Sequence, residues 1–521
     1  MGSSKKKKQV ASPISTGGGG TDFERYVGAY YLGLMLLQAV PRGRDSGILR
    51  EVRFQRLYAG EPLDDLIILA QLPNSDAKLA LQIKRDITFG EKDTKFDEVI
   101  KACWETFQSP RFIRGMDKLG IVVGLYSKTI DEHYQSVLSW ARNSANAADF
   151  FTRLEQEHLA SKTYGSFVSL IRAKIDSHTN ESVGDHELWQ FLRSMTILHF
   201  DFLNDGSRDK AYIIEMLKSL LSSDKLHGEL DLFKTLIGYA AEMNRTAGSI
   251  DYQTLLQKLH NDGIPVRPSA DCRNDLERLQ EHAGFILGDI RNDIAGLVLN
   301  RTEIVLNVRE QMENFSLIEI IGPPGAGKSA VLKAVIESKQ NEGPVLLLSG
   351  NRLAGKGWNG VSRDLQITHP LRELLIAVSA NSTPCLFIDG LDKVIDPGTQ
   401  TAVNDLLRTI AETSYNSNGT RYWTVVYSAR EDSLQELYSW LDLRTYGKPQ
   451  RILVPELNQD EINIITNHLP HLKLLLLTQQ LNPINRNPFM LSLLEDQRML
   501  GSLGVSQQIL TERRLGINAY P

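Results

Sequence analysis

The densest chemistry in the sequence is the run Gly322-Pro323-Pro324-Gly325-Ala326-Gly327-Lys328-Ser329, followed by Ala330. It fits the pattern G-x-x-x-x-G-K-[ST] in full, with an apolar strand leading in and a helix leading out. The glycines let the backbone bend until its N–H groups converge on phosphate oxygens, and the positive end of the next helix adds to the attraction. Lys328 is placed to reach the β- and γ-phosphates, and Ser329 to ligate Mg²⁺. Further on, Cys385 to Asp389 reads as a buried strand ending in an acid, with Asp392 just beyond. Asp389 is placed to hold Mg²⁺, directly or through water, and Asp392 to orient or deprotonate an attacking water. A third strand, Thr424 to Arg430, ends in an arginine. Beside a nucleotide, Arg430 would sense the γ-phosphate; elsewhere it would form a surface salt bridge.

A second set lies near the N-terminus. Asp64 and Asp65 precede the apolar run Leu66 to Leu69, and Gln82-Ile83-Lys84 ends the next strand-like run. Alternate strand residues share a face, so Gln82 and Lys84 point the same way, and across a hairpin they can meet Asp65. Glu24, on the preceding helix, is a third candidate metal ligand. Acids that hold Mg²⁺ and a lysine that activates water or steadies a charged transition state are the parts of metal-dependent phosphodiester cleavage. Either Asp64 or Asp65 can be the ligand; Asp65 is preferred because it directly precedes the strand.

These residues need elements to hold them. Residues 21–127 read as helix, three strands, helix and strand, with Phe96, Val99, Ile100 and Trp104 at helical spacing. Residues 128–275 read as a helical connector, with Leu188, Phe191, Met195 and Leu198 on one stripe. Residues 276–475 alternate strand and helix, which implies a parallel sheet covered on both faces. Residues 476–521 read as the start of a helical arm, and residues 1–20 as a disordered basic, Gly-rich tail.

The chain has 521 residues and a net charge of −5, which argues against a nucleic-acid coat over the whole surface but allows a local basic groove. The 3 cysteines are far apart, which fits a reducing cytosol and gives no disulfide framework or zinc site. The longest apolar run, Tyr26 to Val40, is shorter than the ~20 residues of a membrane span. A cytoplasmic protein without membrane attachment is expected.

Residues 290–500 resemble the NTPase core of the STAND class, to which NACHT proteins belong. The likeness rests on the 322–329 loop, Asp389-Gly390-Leu391-Asp392, Ser428-Ala429-Arg430 and Asn487-Pro488-Phe489. It implies ATP as the nucleotide, packing of Pro488 against it, and nucleotide-driven self-association into an oligomer. Lys393 stands where relatives often carry an acid, which bears on hydrolysis rate rather than binding. Relatives carry long C-terminal sensors; this chain ends at Pro521, so its sensor is expected to be missing, tiny or on another chain.

Residues 18–127 resemble the PD-(D/E)xK restriction-endonuclease-like superfamily in its Q-x-K form, and the double-stranded-DNA endonuclease domains of bacterial anti-phage proteins in particular. Gly20-Thr21-Asp22-Phe23-Glu24, Asp64-Asp65, Gln82-Ile83-Lys84-Arg85 and Phe96 carry this likeness. It implies an α/β multidomain chain: an N-terminal nuclease domain, a helical connector, and a C-terminal P-loop NTPase. The substrate implied is double-stranded DNA, and the trigger an unidentified phage or partner signal. The alternative is a scaffold NTPase whose N-terminal domain binds DNA or recruits a partner.

Overall fold

The computed structural model describes residues 19–499 apart from 126, 128, 157–161, 180, 205, 222–227, 265, 268, 270, 300, 341, 342, 344, 351, 353–357, 379–383, 414–422 and 477–485. Positions 1–18 of the basic tail, and 477–485 and 500–521 of the expected arm, lie outside the described residues.

Helix α1 (Gly19–Leu36) begins the described chain. Its Val27, Tyr30, Tyr31 and Met35 are all fully buried. From Val27 onward the helix is apolar all round and must be enclosed, and it is: α1 packs on β1 (Ile48–Phe54) below and on helices Arg208–Lys218 and Glu229–Thr246 above. β1 continues into β2 (Leu66–Gln71), β3 (Asp76–Lys84), helix α2 (Thr94–Gln108) and β4 (Lys118–Val123). With β5 (Met195–His199) and β6 (Ser249–Asp251) they form a six-stranded sheet in the order β5-β4-β3-β2-β1-β6. β1, β2 and β3 are antiparallel neighbours, while β3, β4 and β5 run parallel. Along β3, Leu79, Leu81 and Ile83 join the core under α1, and Ala80 joins the opposite core under α2.

Two sequence expectations are corrected here. The stretch 128–275 is not purely helical, because β5 and β6 come from it and close the two edges of the sheet. The helix carrying Leu188 and Phe191 ends at Ser194, and Met195 and Leu198 sit in β5 instead. In a strand they alternate: Met195 and Ile197 face one core, Leu198 the other. Short apolar runs look alike in helix and strand until pairing decides. β1 ends at Phe54, and Gln55 just beyond it adopts a left-handed backbone with φ 49°.

The C-terminal half holds a second sheet. β7 (Asp293–Ile294) and β8 (Leu297–Val298) form a small hairpin before it. β9 (Leu317–Gly322), β10 (Leu346–Ser349), β11 (Cys385–Asp389), β12 (Thr424–Arg430) and β13 (Gln450–Leu453) follow. All are parallel, in the order β10-β11-β12-β9-β13. Alternate residues feed two cores. Ile318, Ile320, Phe387 and Val426 meet the helix Lys328–Lys339, while Leu386, Ile388 and Val425 meet the helix Pro397–Thr413. This bears out the expected parallel sheet with helices on both faces. Among the described residues, no helix is long and apolar enough to cross a membrane.

The two halves touch. Val40 N donates to the Ala377 carbonyl at 3.2 Å. Close by, Arg42 Nη1 lies 2.8 Å from Asp209 Oδ1, both side chains buried, and the guanidinium covers the Phe200 ring. Removing one member of a buried ion pair strands the other. Arg42→Ala is therefore expected to cost about 3–5 kcal/mol, read as a lower denaturation midpoint of the N-terminal domain in urea.

Candidate functional site

The phosphate loop leaves β9 at Gly322 and enters the helix Lys328–Lys339. Two of its glycines are required by what surrounds them. A Cβ at Gly322 would lie 2.3 Å from the Val454 carbonyl oxygen. Gly325 has φ +74°, and a Cβ there would lie 2.4 Å from Asn487 Oδ1. Asn487 in turn donates from Nδ2 to the Pro324 carbonyl at 2.8 Å, and Phe489 N approaches the Gly325 carbonyl at 3.4 Å. The segment before the helix Pro488–Met499 thus clasps the loop. Gly325→Ala is expected to weaken ATP binding about tenfold or more, since it combines backbone strain with a clash; titration with a fluorescent ATP analogue measures it.

Lys328 Nζ donates to the carbonyls of Gly322 and Pro323, each at 2.9 Å. Burial pulls this ammonium below the ordinary lysine range, with Asp392 the main opposing charge. Asp389 is buried at the end of β11, and its Oδ1 accepts from Ser329 Oγ at 2.8 Å and Ser428 Oγ at 2.7 Å. Ser428 reaches it because β12 lies beside β11 in the sheet. Its hydroxyl also accepts from Gly390 N at 2.8 Å. Two hydroxyls and a carboxylate are hard oxygen donors, the kind Mg²⁺ takes. Arg430 Nε donates to Asp392 Oδ2 at 2.6 Å, the salt bridge of the second reading, and this pair lies on the wall of the cavity. The cavity, of 1060 Å³, is lined by Pro324 through Ser329, Asp389, Asp392, Arg430 and Pro488.

Three residues of the site carry no sequence signal for the roles they take. Ser428 belongs to the Ser428-Ala429-Arg430 motif and Asn487 precedes Pro488, but neither motif marks the contact with Asp389 or the clasp on Pro324. Arg301 gave no signal at all, yet its Nη1 donates to the Ala326 carbonyl at 2.9 Å and the Pro455 carbonyl at 2.7 Å.

The N-terminal set also converges. Leu66 pairs with Leu81 across the β2–β3 hairpin, which places Asp65 opposite Gln82. Asp65 Oδ2 accepts from Gln82 Nε2 at 2.5 Å and from Ile83 N at 2.7 Å, and Lys84 Nζ lies 4.0 Å away. Glu24 faces the same charges: burial, and then Asp65, push its carboxyl up to about 7. Burial also raises Asp65, against the pull of Lys84. Asp65 is buried and Asp64 only half-buried, with Asp64 held by the Leu57 backbone. The groups that could hold a cation at this end are the carboxylates of Glu24 and of Asp65 or Asp64 and the Gln82 amide oxygen, all of them hard oxygens suited in kind to Mg²⁺. Among the described residues, no group of three or more His, Cys, Asp or Glu side chains is placed to hold a metal ion. Any such ion must therefore draw on Gln82, backbone or substrate oxygens as well.

The model of the ATPase family associated with various cellular activities (AAA) matches residues 318–442, so this segment is an AAA-family ATPase domain, a P-loop NTPase. The match is to the AAA family rather than to NACHT proteins. No curated protein matches the chain. Among solved structures, a Walker-type ATPase of Pyrococcus abyssi is 15% identical with a TM-score of 0.29, over 40% of this chain and 69% of that one. The FIGL-1 AAA domain in complex with ADP is 18% identical with a TM-score of 0.23, over 36% and 57%. The Cap4 SAVED/CARF-domain receptor of Acinetobacter baumannii is 13% identical with a TM-score of 0.27, over 64% and 64%. The chain thus spans less than two thirds of the last two.

Proposed function

We infer that the AAA-family ATPase domain at residues 318–442 regulates a second activity on the same chain: Mg²⁺-dependent cleavage of double-stranded DNA by the N-terminal domain, in cytoplasmic bacterial defence against phage. The supporting observation is the meeting of Asp65, Gln82, Lys84 and Glu24 at one end of the β2–β3 hairpin. Lys84 is the cation that steadies negative charge growing on the scissile phosphate. Asp65 and Glu24 would hold Mg²⁺, which would supply Lewis-acid assistance to phosphodiester cleavage. In the ATPase domain, Lys328 would meet the triphosphate, Ser329 and Asp389 would hold its Mg²⁺, and Asp392 would orient or deprotonate the attacking water. ATP binding drives STAND-type self-association, which brings N-terminal domains together on duplex DNA, in answer to a phage or partner trigger.

The test is supercoiled plasmid incubated with the full chain, Mg²⁺ and ATP. Conversion to linear DNA is expected. A second reading, a scaffold whose N-terminal domain binds DNA or a partner, draws on the Gln82 amide, which faces Asp65 where an acid would otherwise stand. Plasmid left intact in Mg²⁺, Mn²⁺ and ATP by chain shown to be assembled would favour that second reading and sink the first.

A further inference from the structure

The cavity holding the phosphate loop is not walled by the ATPase domain alone. Its lining includes Ser136, Trp140, Asn143, Arg153 and Tyr164, all from the N-terminal half. At 1060 Å³ it stands at the top of the range, roughly 300–1,000 Å³, usual for small-ligand sites. It extends along the helix Lys328–Lys339 from Lys328 to Ser338. The helix Gln135–Asn143 packs against that same helix.

The chemistry at this far wall is specific. Arg153 lies over the Trp140 ring, 4.9 Å from its centroid, and Trp140 meets Tyr164 edge-on at 5.0 Å. Arg153 is half-buried and its Nε makes no hydrogen bond. The acids acting on it are Asp149, on its own helix, and Glu337, across the domain boundary. Glu337 is opposed in turn by Lys333 and Arg153. Lys333 is committed to the carbonyls of Leu287 and Ile290, at 3.0 and 3.1 Å. Arg153, from the N-terminal half, lines the same cavity as Glu337 and carries the opposite charge. A second charge lies on the same cavity, whose lining includes both Arg309 of the ATPase half and Tyr164. The helix Lys328–Lys339 has 12 residues, so it is a rod about 18 Å long. Its first turn carries Lys328 and Ser329 of the phosphate loop, and Glu337 in its last turn lines the cavity together with Arg153.

We propose that the nucleotide site is shared between the two halves: Arg153 and Trp140 complete its far wall, and attraction across the cavity between Arg153 and Glu337, which both line it, couples nucleotide binding to the seating of the N-terminal domain. The proposal rests on nucleotide occupying this cavity, but not on any nuclease activity. Arg153 is a positioning residue, acting through the helix. Coupling of this kind is reciprocal, so ATP must also steady the N-terminal helices.

The experiment uses the full chain and a fluorescent ATP analogue, comparing wild type with Arg153→Glu, Glu337→Arg, the double swap and Lys328→Ala. Each charge reversal is expected to weaken analogue binding about fivefold, and the swap to bring it back near wild type, as interacting neighbours do in a double-mutant cycle. Hydrogen exchange in the helix Gln135–Asn143 is expected to slow on adding ATP in wild type and in the swap, but not in either single variant. Thermal unfolding of Arg153→Gln, which removes charge without reversing it, guards against misfolding: it must stay near wild type while binding still weakens. Single variants that bind like wild type, or a swap that restores nothing, overturn the proposal. Lys328→Ala binding like wild type would instead overturn the nucleotide site on which it rests.

Discussion

Lys328→Ala is expected to lower the affinity of the chain for ATP by about 100-fold or more. Hydrogen bonds to charged groups contribute ~1.5–3 kcal/mol each, and an ammonium bridging two phosphates makes at least two. The side chain is half-buried, and burial already disfavours its charge. A phosphate therefore meets an ammonium that water screens poorly. The loop itself should survive, since its shape is held by other groups: Asn487 on Pro324, Arg301 on Ala326, and the tight seat of Gly322 against Val454. Isothermal titration with ATP and Mg²⁺ measures the loss. A matching far-ultraviolet circular dichroism spectrum would show that the fold is intact.

The second large effect belongs to the N-terminal domain. Lys84→Ala is expected to cut plasmid cleavage about 1,000-fold, the scale of losing a group that stabilises developing charge, ~2.7–4 kcal/mol. Lys84 ends β3 and its ammonium is the cation nearest Asp65 among the described residues that pair with it. Its removal takes nothing from the core, because Ile83 and Leu81 hold the strand. ATP affinity should not change. The initial rate of supercoil loss reads the first expectation, and the ATP titration above reads the second. Cleavage within tenfold of wild type would remove Lys84 from the chemistry.

What could be read in the sequence has a pattern. The phosphate loop was legible because its demands are local: glycines at bends, then lysine and serine at the start of a helix. Asp65, Gln82 and Lys84 were legible because a hairpin with period-two alternation brings them together over a short stretch of chain. Ser428, Asn487 and Arg301 were not, because each reaches the site from a distant segment. Ser428 depends on β12 lying between β11 and β9, an order that local pattern does not encode. β5 and β6 were missed for a related reason. Both are short, and only pairing with β4 and β1 makes them strands. The wall of the nucleotide cavity supplied by Trp140 and Arg153 was hidden too, since those residues read as ordinary members of amphipathic helices.

The central claim is that nucleotide held at residues 322–329 controls cleavage at Asp65 and Lys84. The most direct test measures linearisation of supercoiled plasmid by the full chain in Mg²⁺, with and without ATP, for wild type and Lys328→Ala. ATP is expected to accelerate cleavage by wild type, while Lys328→Ala stays at the ATP-free rate whether or not ATP is present. Equal acceleration of both proteins by ATP, or cleavage by wild type that ignores ATP, would contradict it.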